Sequence, residues 1–295
     1  MYDAIMIGSG PAGLSAALYT SRAGLKTLVI GKDRGALEKA ERIENYFGMA
    51  EPISGCELVE NTKAQARSLG VELVEDEIFH ISWDGHFILE GKNGSYEALT
   101  VLLATGTGRK TLNVEGLKEL EGRGVSYCAV CDAFFYRGRD VAVLGNEDYA
   151  IHEMSQILPV VKSVTLLTNG QELKAQAPEG VSVIEKPLRS VDGTNRVEGI
   201  TFADGSSIST EGLFVALGSA GAMELAKKAG AFTEGQNIKV NERMETNVPG
   251  LYAAGDCIGG LLQISTAVGE GAKAAMSMIP FVRRQRTSSK AETSK

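Results

Sequence analysis

Apolar runs and helical spacings alternate along the chain in a regular order. Residues 2–7 form a short apolar run and residues 26–30 form a second, with apolar positions at helical spacing between them. A strand, a helix and a second strand in this order predict a βαβ unit. The same order returns at 140–144, 147–158 and 163–167. The pattern therefore predicts two such units in series.

Shorter elements fill the remaining chain. We predict further strands at 71–74, 101–104, 181–184, 196–202 and 212–217, a hairpin at 79–89, and helices at 54–69 and 264–279. The polar, glycine-bearing stretch 112–127 suits a domain boundary. The basic, polar segment 283–295 is predicted to be disordered.

Each predicted βαβ unit has a glycine turn between its first strand and its helix. The first turn reads Gly8-Ser9-Gly10-Pro11-Ala12-Gly13, which is the G-x-G-x-x-G fingerprint of dinucleotide binding. Glycines let the backbone approach a pyrophosphate, and the helix N-terminus supplies partial positive charge. A purely structural turn is the alternative. The next strand ends at Ile30-Gly31-Lys32 without an acid for a ribose, and Asp33 comes late.

The second turn carries acids where the fingerprint has glycine, since it reads Gly145-Asn146-Glu147-Asp148-Tyr149-Ala150. One like-charge pair at roughly 5 Å costs about 3 kcal/mol at an effective dielectric near 20, or more than about a hundredfold in affinity. Residues 166–172 supply neither arginines for a 2′-phosphate nor an acid for a ribose diol. We therefore predict that this unit keeps its fold but lacks a nicotinamide site.

A C-x-x-C-D motif, Cys128 to Asp132, lies near the middle of the chain. Two thiols at this spacing can close a small disulfide ring, and each lowers the other's pKa enough for one to attack as a thiolate. Zinc would need two more ligands at short spacing, but Cys56 and Cys257 are solitary and the histidines form no ligand pattern. We interpret the motif as a redox dithiol and predict no metal site, with half of a zinc site or coincidence as alternatives.

Composition narrows the class of protein further. The chain has 295 residues, 43% of them hydrophobic and 23% charged, which is ordinary for a two-domain globular protein. A net charge of -7 argues against a nucleic-acid partner. No apolar run reaches about 18 residues, and the chain opens in a strand, so neither a membrane span nor a signal peptide is predicted. Four cysteines are too few for a secreted disulfide scaffold. We expect a cytoplasmic protein whose disulfide cycles.

Together these motifs resemble the low-molecular-weight flavin thioredoxin reductases over nearly the whole chain. The nearest likeness is to the NADPH-independent, ferredoxin-dependent members. The resemblance implies an α/β fold of two Rossmann-like, three-layer nucleotide-binding domains. The FAD-binding domain would be discontinuous, 1–111 with 242–295, around an inserted central domain, 112–241, that carries the dithiol. Relatives of this kind form homodimers, which is also implied here.

The resemblance also implies which residues hold FAD. Asp256 would lie on the ribityl-phosphate side, and Gln263 to Ala267 would lie near the isoalloxazine. The implied FAD-binding residues are Gly8, Ser9, Gly10, Pro11, Ala12, Gly13, Asn45, Ala104, Thr105, Gly106, Gly255, Asp256, Gln263, Ile264, Ser265, Thr266 and Ala267.

Roles within the dithiol follow from the same resemblance. Cys131 would be the flavin-proximal thiol, Cys128 the thiol that attacks the partner's disulfide, and Asp132 the proton donor. Without the resemblance, Asp132 is still the natural acid because no histidine is near in sequence. A helix cap is its alternative role.

The source of electrons is predicted to be ferredoxin and the acceptor thioredoxin. A plant-type ferredoxin near about -400 mV feeding a thioredoxin near about -270 mV releases roughly 6 kcal/mol for two electrons. Because ferredoxins are acidic, we expect a basic dock at Arg109-Lys110, Arg137–Arg139 or Arg283–Arg286, each of which could equally be a solvated cluster.

Two other functions are alternatives, and a third is disfavoured. The chain could be an NAD(P)H-dependent thioredoxin reductase with an atypical nucleotide site, or a flavin and dithiol redox sensor without turnover. A ferredoxin-NADP reductase is disfavoured because such enzymes need NADP and do not need the dithiol.

Overall fold

The computed structural model describes residues 1–33, 35–106, 112–218 and 221–292. The chain forms two compact units, one made of Met1–Gly108 with Gly221–Lys295 and the other of Arg109–Ala220. The α/β class with an inserted dithiol-bearing unit is confirmed. The chain returns to the first unit at Gly221, not at 242 as expected. One reason is that Lys228 Nζ donates to Phe79 O at 2.7 Å, which binds the returning segment to the first unit.

The elements bear out the predicted alternation. The strands are β1 (Tyr2–Ile7), β2 (Thr27–Gly31), β3 (Glu72–Glu75), β4 (Ile78–Trp83), β5 (Phe87–Gly91), β6 (Ser95–Leu103), β7 (Val125–Ser126), β8 (Asp140–Leu144), β9 (Ser163–Leu167), β10 (Ser182–Ile184), β11 (Leu188–Asp192), β12 (Gly199–Phe202), β13 (Ser207–Ser209), β14 (Leu213–Val215), β15 (Thr233–Glu234), β16 (Asn237–Ile238) and β17 (Leu251–Ala253). The α-helices are α1 (Pro11–Arg22), α2 (Gly55–Ser68), α3 (Ala129–Asp132), α4 (Asp148–Ile157), α5 (Ala222–Lys228) and α6 (Ile264–Glu292).

The large sheet of the first unit has the order β3-β2-β1-β6-β5-β4, and β17 also pairs with β6. β1 runs parallel to β2 and β6, and β17 runs parallel to β6, whereas β4, β5 and β6 form an antiparallel meander. Leu103 is in register with both Ile7 and Ala253. The turns that follow β1, β6 and β17 therefore meet at one edge of the sheet, the usual place for a ligand in α/β folds.

Helix α6 closes the first unit against α1. A Cβ at Gly271 would lie 2.1 Å from Ala12 O, so only glycine lets the two helices approach this closely. Ser15 Oγ adds a hydrogen bond to Val268 O at 2.8 Å. The prediction of disorder from residue 283 is wrong, because the helix continues to Glu292 and the Arg286 guanidinium binds the buried Asp3 carboxylate of β1.

The second unit has a parallel sheet of order β10-β9-β8-β14-β7. A small antiparallel sheet, β11-β12-β13, packs its apolar side chains, such as Ile200 and Phe202, into the same core as Leu144 and Leu213. Strand β7 leads directly into the cysteine motif, and β8 leads into the turn before α4. Among the described residues, no helix combines the length and hydropathy needed to cross a membrane.

Candidate active site

The two motif cysteines are joined as a disulfide. Cys128 and Cys131 have an S–S distance of 2.09 Å and a Cα–Cα distance of 5.3 Å. Cys128 precedes the first residue of α3 in extended conformation, and its Sγ accepts a hydrogen bond from Cys131 N at 3.2 Å. Cys131 is exposed, whereas Cys128 is only 4% exposed. In the disulfide form, Cys131 is thus the more exposed cysteine.

Asp132 is held beside the disulfide by a serine rather than used as a cap. Ser126 Oγ donates to Asp132 Oδ2 at 2.6 Å and accepts from Cys128 N at 3.1 Å. Within the described chain, the Asp132 side chain caps no backbone N–H of the 3₁₀ turn that follows it. Burial, and secondarily the Asp132 charge, raise the pKa of Tyr136. The carboxyl group is therefore held by Ser126, whose hydroxyl also accepts from the Cys128 amide.

Glu153 is a polar neighbour of the dithiol that the sequence analysis missed. Its side chain is 2% exposed, and its Oε2 accepts a hydrogen bond from Ala129 N at 2.8 Å. One signal was available, because Glu153 lies on α4 four residues from Tyr149 and from Ile157, which are both buried. A charged residue in an apolar helical stripe requires a buried partner.

An apolar surface adjoins the disulfide. Phe134 is 69% exposed, Phe135 is 70% exposed and Val130 is 49% exposed. The Arg137 guanidinium lies 5.3 Å from the centroid of the Phe134 ring. Large apolar side chains grouped at a surface are typical of a protein-binding site.

The first glycine turn is packed backbone against backbone. A Cβ at Gly8, where φ is 118°, would lie 2.2 Å from Ala104 O, and a Cβ at Gly13 would lie 2.0 Å from Gly8 O. Helix α1 begins after Gly10 with Pro11, and among the described residues it has neither a side-chain cap nor an acid in its first turn. Its first amides are therefore available to an anionic group such as a pyrophosphate.

A buried polar atom at the same edge also fits a bound cofactor. Thr105 Oγ1, in the turn after β6, is buried and has no hydrogen-bond partner among the residues that the structure describes. The missing acid at the end of β2 has a steric reason, because a Cβ at Gly31 would lie 2.3 Å from Ser9 Oγ. Ser9 Oγ in turn donates to Asp33 O at 3.1 Å, so Asp33 reaches this edge through its backbone.

Two further predicted cofactor residues contact each other, since Asn45 Nδ2 donates to Gln263 Oε1 at 3.1 Å. Ile264, Ser265, Thr266 and Ala267 form the first turn of α6 directly after Gln263. The residues implied to hold FAD thus all lie in the first unit, and apart from Asn45 they lie on turns that follow its parallel strands or at helix starts.

Glu270 was not predicted and binds the last of these turns. Its Oε2 accepts from Gly255 N at 2.8 Å, and Gly255 has a φ of 80°. Burial raises the pKa of Glu270, and the neighbouring Asp256 charge acts in the same direction. Cys257 is buried, donates to Leu103 O and Ala254 O, and has its pKa raised to about 12 by burial. It is an unreactive thiol.

The turn of the second unit is occupied by the chain itself. Glu147 is the residue before α4, and Asp148 lies in the helix's first turn. Asn146 Nδ2 donates to Glu172 O at 3.0 Å, and Asn146 O accepts from Lys174 N at 2.9 Å. Lys174 Nζ lies 3.2 Å from Glu147 Oε1. Three polar contacts thus bind the segment 172–174 to the turn where a pyrophosphate would lie.

The end of β9 is likewise engaged within the unit. Thr168 Oγ1 donates to Gln171 O at 2.5 Å, and Asn169 Oδ1 accepts from Leu188 N at 2.7 Å. Asn169 has a φ of 53°, a conformation that asparagine tolerates better than most residues. The Thr168 and Asn169 side chains at the end of β9 are therefore both engaged by the chain itself.

The predicted basic clusters are only partly available. Arg109-Lys110 lies outside the described residues. Arg139 Nη1 forms an ion pair with Glu211 Oε2 at 3.0 Å, and Arg286 is bound to Asp3. Arg283 is exposed at the surface. Arg137 and Arg283 are exposed members of these clusters that suit an acidic partner.

The fold and the two sites define a class of protein. The chain belongs to the pyridine nucleotide-disulphide oxidoreductase family, whose model matches residues 2–271. Its members of the thioredoxin reductase type bind FAD.

Relatives place the chain among the thioredoxin reductases. It is 36% identical over 306 residues to the thioredoxin reductase of Aquifex aeolicus (strain VF5), covering 96% of this chain and 94% of that protein. It is 37% identical over 302 residues to that of Bacillus subtilis (strain 168), with coverages of 96% and 95%.

Solved structures agree with this placement. The atypical thioredoxin reductase TRi from Desulfovibrio vulgaris Hildenborough is 38% identical with a TM-score of 0.91, covering 96% of this chain and 99% of that one. A ferredoxin-flavin thioredoxin reductase from Clostridium acetobutylicum is 32% identical with a TM-score of 0.72, and the coverages are 96% and 98%.

Proposed function

We propose that this chain is a disulfide reductase that passes electrons from reduced ferredoxin, through FAD and the Cys128–Cys131 pair, to thioredoxin. The observation that carries the choice of donor is the occupied turn of the second unit. Asp148 lies in the first turn of α4 and Glu147 lies before it, where a pyrophosphate needs bare amides.

The ion pair with Lys174 offsets part of the Glu147 charge, so repulsion is weaker than the sequence alone suggests. The segment 172–174 is a second obstacle to nucleotide binding, because a nucleotide would have to break the hydrogen bonds between this segment and Asn146. A buried polar group left without its partner costs about 1–3 kcal/mol. Charge and steric occupation thus act in the same direction.

One of the similar structures supports a donor other than a pyridine nucleotide, because it is a ferredoxin-flavin thioredoxin reductase. Ferredoxin is also a sufficient reductant, because the roughly 130 mV that separates a plant-type ferredoxin from thioredoxin releases about 6 kcal/mol for two electrons.

When bound, FAD supplies the two electrons that reduce the disulfide. The chain's own residues perform the exchange with thioredoxin. One motif cysteine attacks the thioredoxin disulfide as a thiolate, the S–S bond breaks, and the leaving sulfur takes a proton. The second cysteine then attacks the mixed disulfide, which restores the Cys128–Cys131 bond and releases dithiol thioredoxin. Asp132, oriented by Ser126, donates protons to the departing sulfurs.

Thioredoxin docks, in this proposal, on the apolar surface of Val130, Phe134 and Phe135. All three side chains are exposed and adjoin the disulfide within α3 and the turn that follows it. Burying exposed aromatic side chains is a main source of binding energy at protein interfaces.

The donor is tested by parallel anaerobic reductions of the purified flavoprotein with a reduced ferredoxin, NADPH and NADH. We expect the visible absorption of oxidised flavin to bleach with ferredoxin only, and thioredoxin to be reduced in the same mixture. Bleaching by either nucleotide at micromolar concentration would establish the alternative, an NAD(P)H-dependent enzyme with an atypical site. A Cys128→Ser, Cys131→Ser double variant is the control, since it should still bleach but should reduce no thioredoxin.

The acceptor and the cysteine roles are tested by trapping. If Cys128 attacks thioredoxin, Cys131→Ser should accumulate a mixed disulfide through Cys128, and Cys128→Ser should not. The reverse result would assign the attack to Cys131, the exposed sulfur of the disulfide form. If neither variant forms an adduct and the native protein reduces no thioredoxin with any donor, the redox-sensor alternative holds.

A cytoplasmic location and a homodimer belong to the same proposal. A dithiol that cycles suits a reducing compartment. Sedimentation of the flavin-loaded protein at micromolar concentration checks the dimer, which a single monomer boundary would contradict.

A further inference from the structure

The dithiol turn is held from a second element by a buried acid. Helix α3 has four residues, and Cys128 precedes it. The first amide of this helix, Ala129 N, donates to Glu153 Oε2 at 2.8 Å. The Cys131 amide, two residues further along, donates to Cys128 Sγ at 3.2 Å. A carboxylate and a sulfur thus divide the amides at the start of this turn.

Covalent geometry keeps a cysteine sulfur within about 5 Å of the next amide nitrogen, so the Glu153 oxygen, 2.8 Å from that nitrogen, lies at most about 8 Å from Cys128 Sγ. The Glu153 side chain is 2% exposed, so solvent screens its charge little. A like charge at this distance disfavours a thiolate. Amide hydrogen bonds stabilise a thiolate. Since Ala129 N donates to Glu153, this amide does not stabilise a thiolate at Cys128.

We propose that Glu153 is a positioning residue that fixes the start of α3 and makes the Cys128–Cys131 dithiol a stronger reductant. Destabilising the thiolate destabilises the reduced form relative to the disulfide, which lowers the reduction potential. The thiolate that does form is more nucleophilic, because nucleophilicity rises with thiol pKa. This inference concerns the dithiol named in the proposed function and does not depend on which donor or acceptor serves it.

Two substitutions separate the charge from the hydrogen bond. Glu153→Gln keeps an oxygen that can accept from Ala129 N but removes the charge. Glu153→Ala removes both and leaves the amide to the sulfur. The other titratable or charged side chains on α3, α4 and the adjoining segments are Tyr127, Asp132, Tyr136, Arg137, Arg139, Asp140, Glu147, Asp148, Tyr149 and His152. They are the same in every variant, so differences report on Glu153 alone.

The flavin-loaded protein is equilibrated with reduced and oxidised dithiothreitol, alkylated, and digested with trypsin. The fraction reduced is read by mass spectrometry on the peptide 124–137, which holds Cys128 and Cys131 but neither Cys56 nor Cys257. We expect Glu153→Gln to raise the equilibrium constant for reduction about tenfold, a shift of about 30 mV toward less negative potential. Glu198→Gln, at an exposed position between β11 and β12, is the matched control and should shift nothing.

The pH dependence of Cys128 alkylation in a Cys131→Ser background is the second measurement. The Cys128 pKa should fall from native Glu153 to Gln and further to Ala, while thermal stability should fall only for Ala. If Glu153→Gln leaves both the equilibrium constant and this pKa unchanged, Glu153 merely ties α3 to α4 and the proposal is wrong. Should Glu153→Ala fail to fold, the Gln variant alone decides. Neither readout uses ferredoxin or thioredoxin, so the result stands apart from the test of the proposed function.

Discussion

The turns Gly8–Gly13 and Gly145–Ala150 each follow the first strand of a βαβ unit, but the helix starts after them differ. Helix α1 starts with Pro11 and small residues, which leave its first amides open. Helix α4 starts at Asp148, directly after Glu147, and its turn is bound by the segment 172–174. A βαβ unit can thus keep its strand, turn and helix after losing the features that hold a phosphate.

The largest effect is expected from Gly10→Ala, which tests whether the open start of α1 holds the cofactor. A Cβ at Gly10 meets nothing within 4 Å in the protein, and its φ of -85° suits alanine. We therefore expect the flavin-free protein to keep its stability while FAD affinity falls by about a hundredfold or more, because the methyl group lies where the pyrophosphate must approach. The measurements are flavin content after gel filtration and thermal unfolding of the flavin-free protein.

Gly13→Ala serves as the control, because its Cβ would lie 2.0 Å from Gly8 O. That variant should lose flavin and also unfold more easily, by about 1–3 kcal/mol for overpacking. If Gly10→Ala retained stoichiometric flavin, the open amides of α1 would not be the cofactor's contact.

A double substitution, Glu147→Gly with Asp148→Asn, tests whether the two carboxylates at the start of α4 weaken nucleotide binding. Removing the two carboxylates should strengthen NADPH binding by about tenfold to a hundredfold. Binding should stay weak, because the segment 172–174 still binds Asn146 and residues 168–172 contain no arginine. Calorimetric titration with NADPH gives the affinity. Tight micromolar binding by the native chain would already contradict the expectation.

Asn146→Ala tests the bonds that close the second turn. Asn146 is buried, and its side chain donates to Glu172 O. Losing this bond should lower the free energy of unfolding by about 1–2 kcal/mol and loosen the segment 172–174. Urea unfolding and proteolysis at Lys174 report the two effects. An unchanged unfolding midpoint would mean that the segment is held by its other contacts alone.

The smallest effect is expected from Glu270→Gln in the first unit. Burial raises the pKa of Glu270 above its ordinary 4.5, so its favourable contribution to stability is complete below about pH 4.5 and is lost as pH rises through the raised pKa. The variant lacks this loss. Its stability relative to the native protein should increase from about pH 4 to about pH 7, by less than about 1 kcal/mol because the carboxyl group is partly solvated.

Urea unfolding of the flavin-free proteins across that range gives the difference. A constant difference between variant and native protein would show that Glu270 does not titrate there.

Local pattern was enough for the elements that repeat. The βαβ units, the disulfide pair and the glycine turns could be predicted, because each is encoded by neighbouring residues with fixed spacing. The strand β6 was read only from residue 101, although it begins at Ser95, because its first half pairs with β5 on a half-exposed face. Burial in that half is interrupted, whereas residues 100–103 form a continuous buried run.

Long-range partners could not be read. Glu153 contacts Ala129 across 24 residues, and Arg286 contacts Asp3 across 283. The second contact turns a segment with the composition of a disordered tail into the end of α6, since tertiary contacts override composition. The short helix α5 and the small hairpin of β15 and β16 also escaped prediction, because pieces this short carry too few periods to register.

The first unit is assembled from both ends of the chain, which has a consequence during synthesis. On the ribosome, residues 109–220 are complete before β17 and α6 emerge. The dithiol-bearing unit can therefore fold while the first unit still lacks the helix that packs on Ala12 and the loop that contains Gly255. Flavin loading is thus one of the last steps in the maturation of the newly made polypeptide.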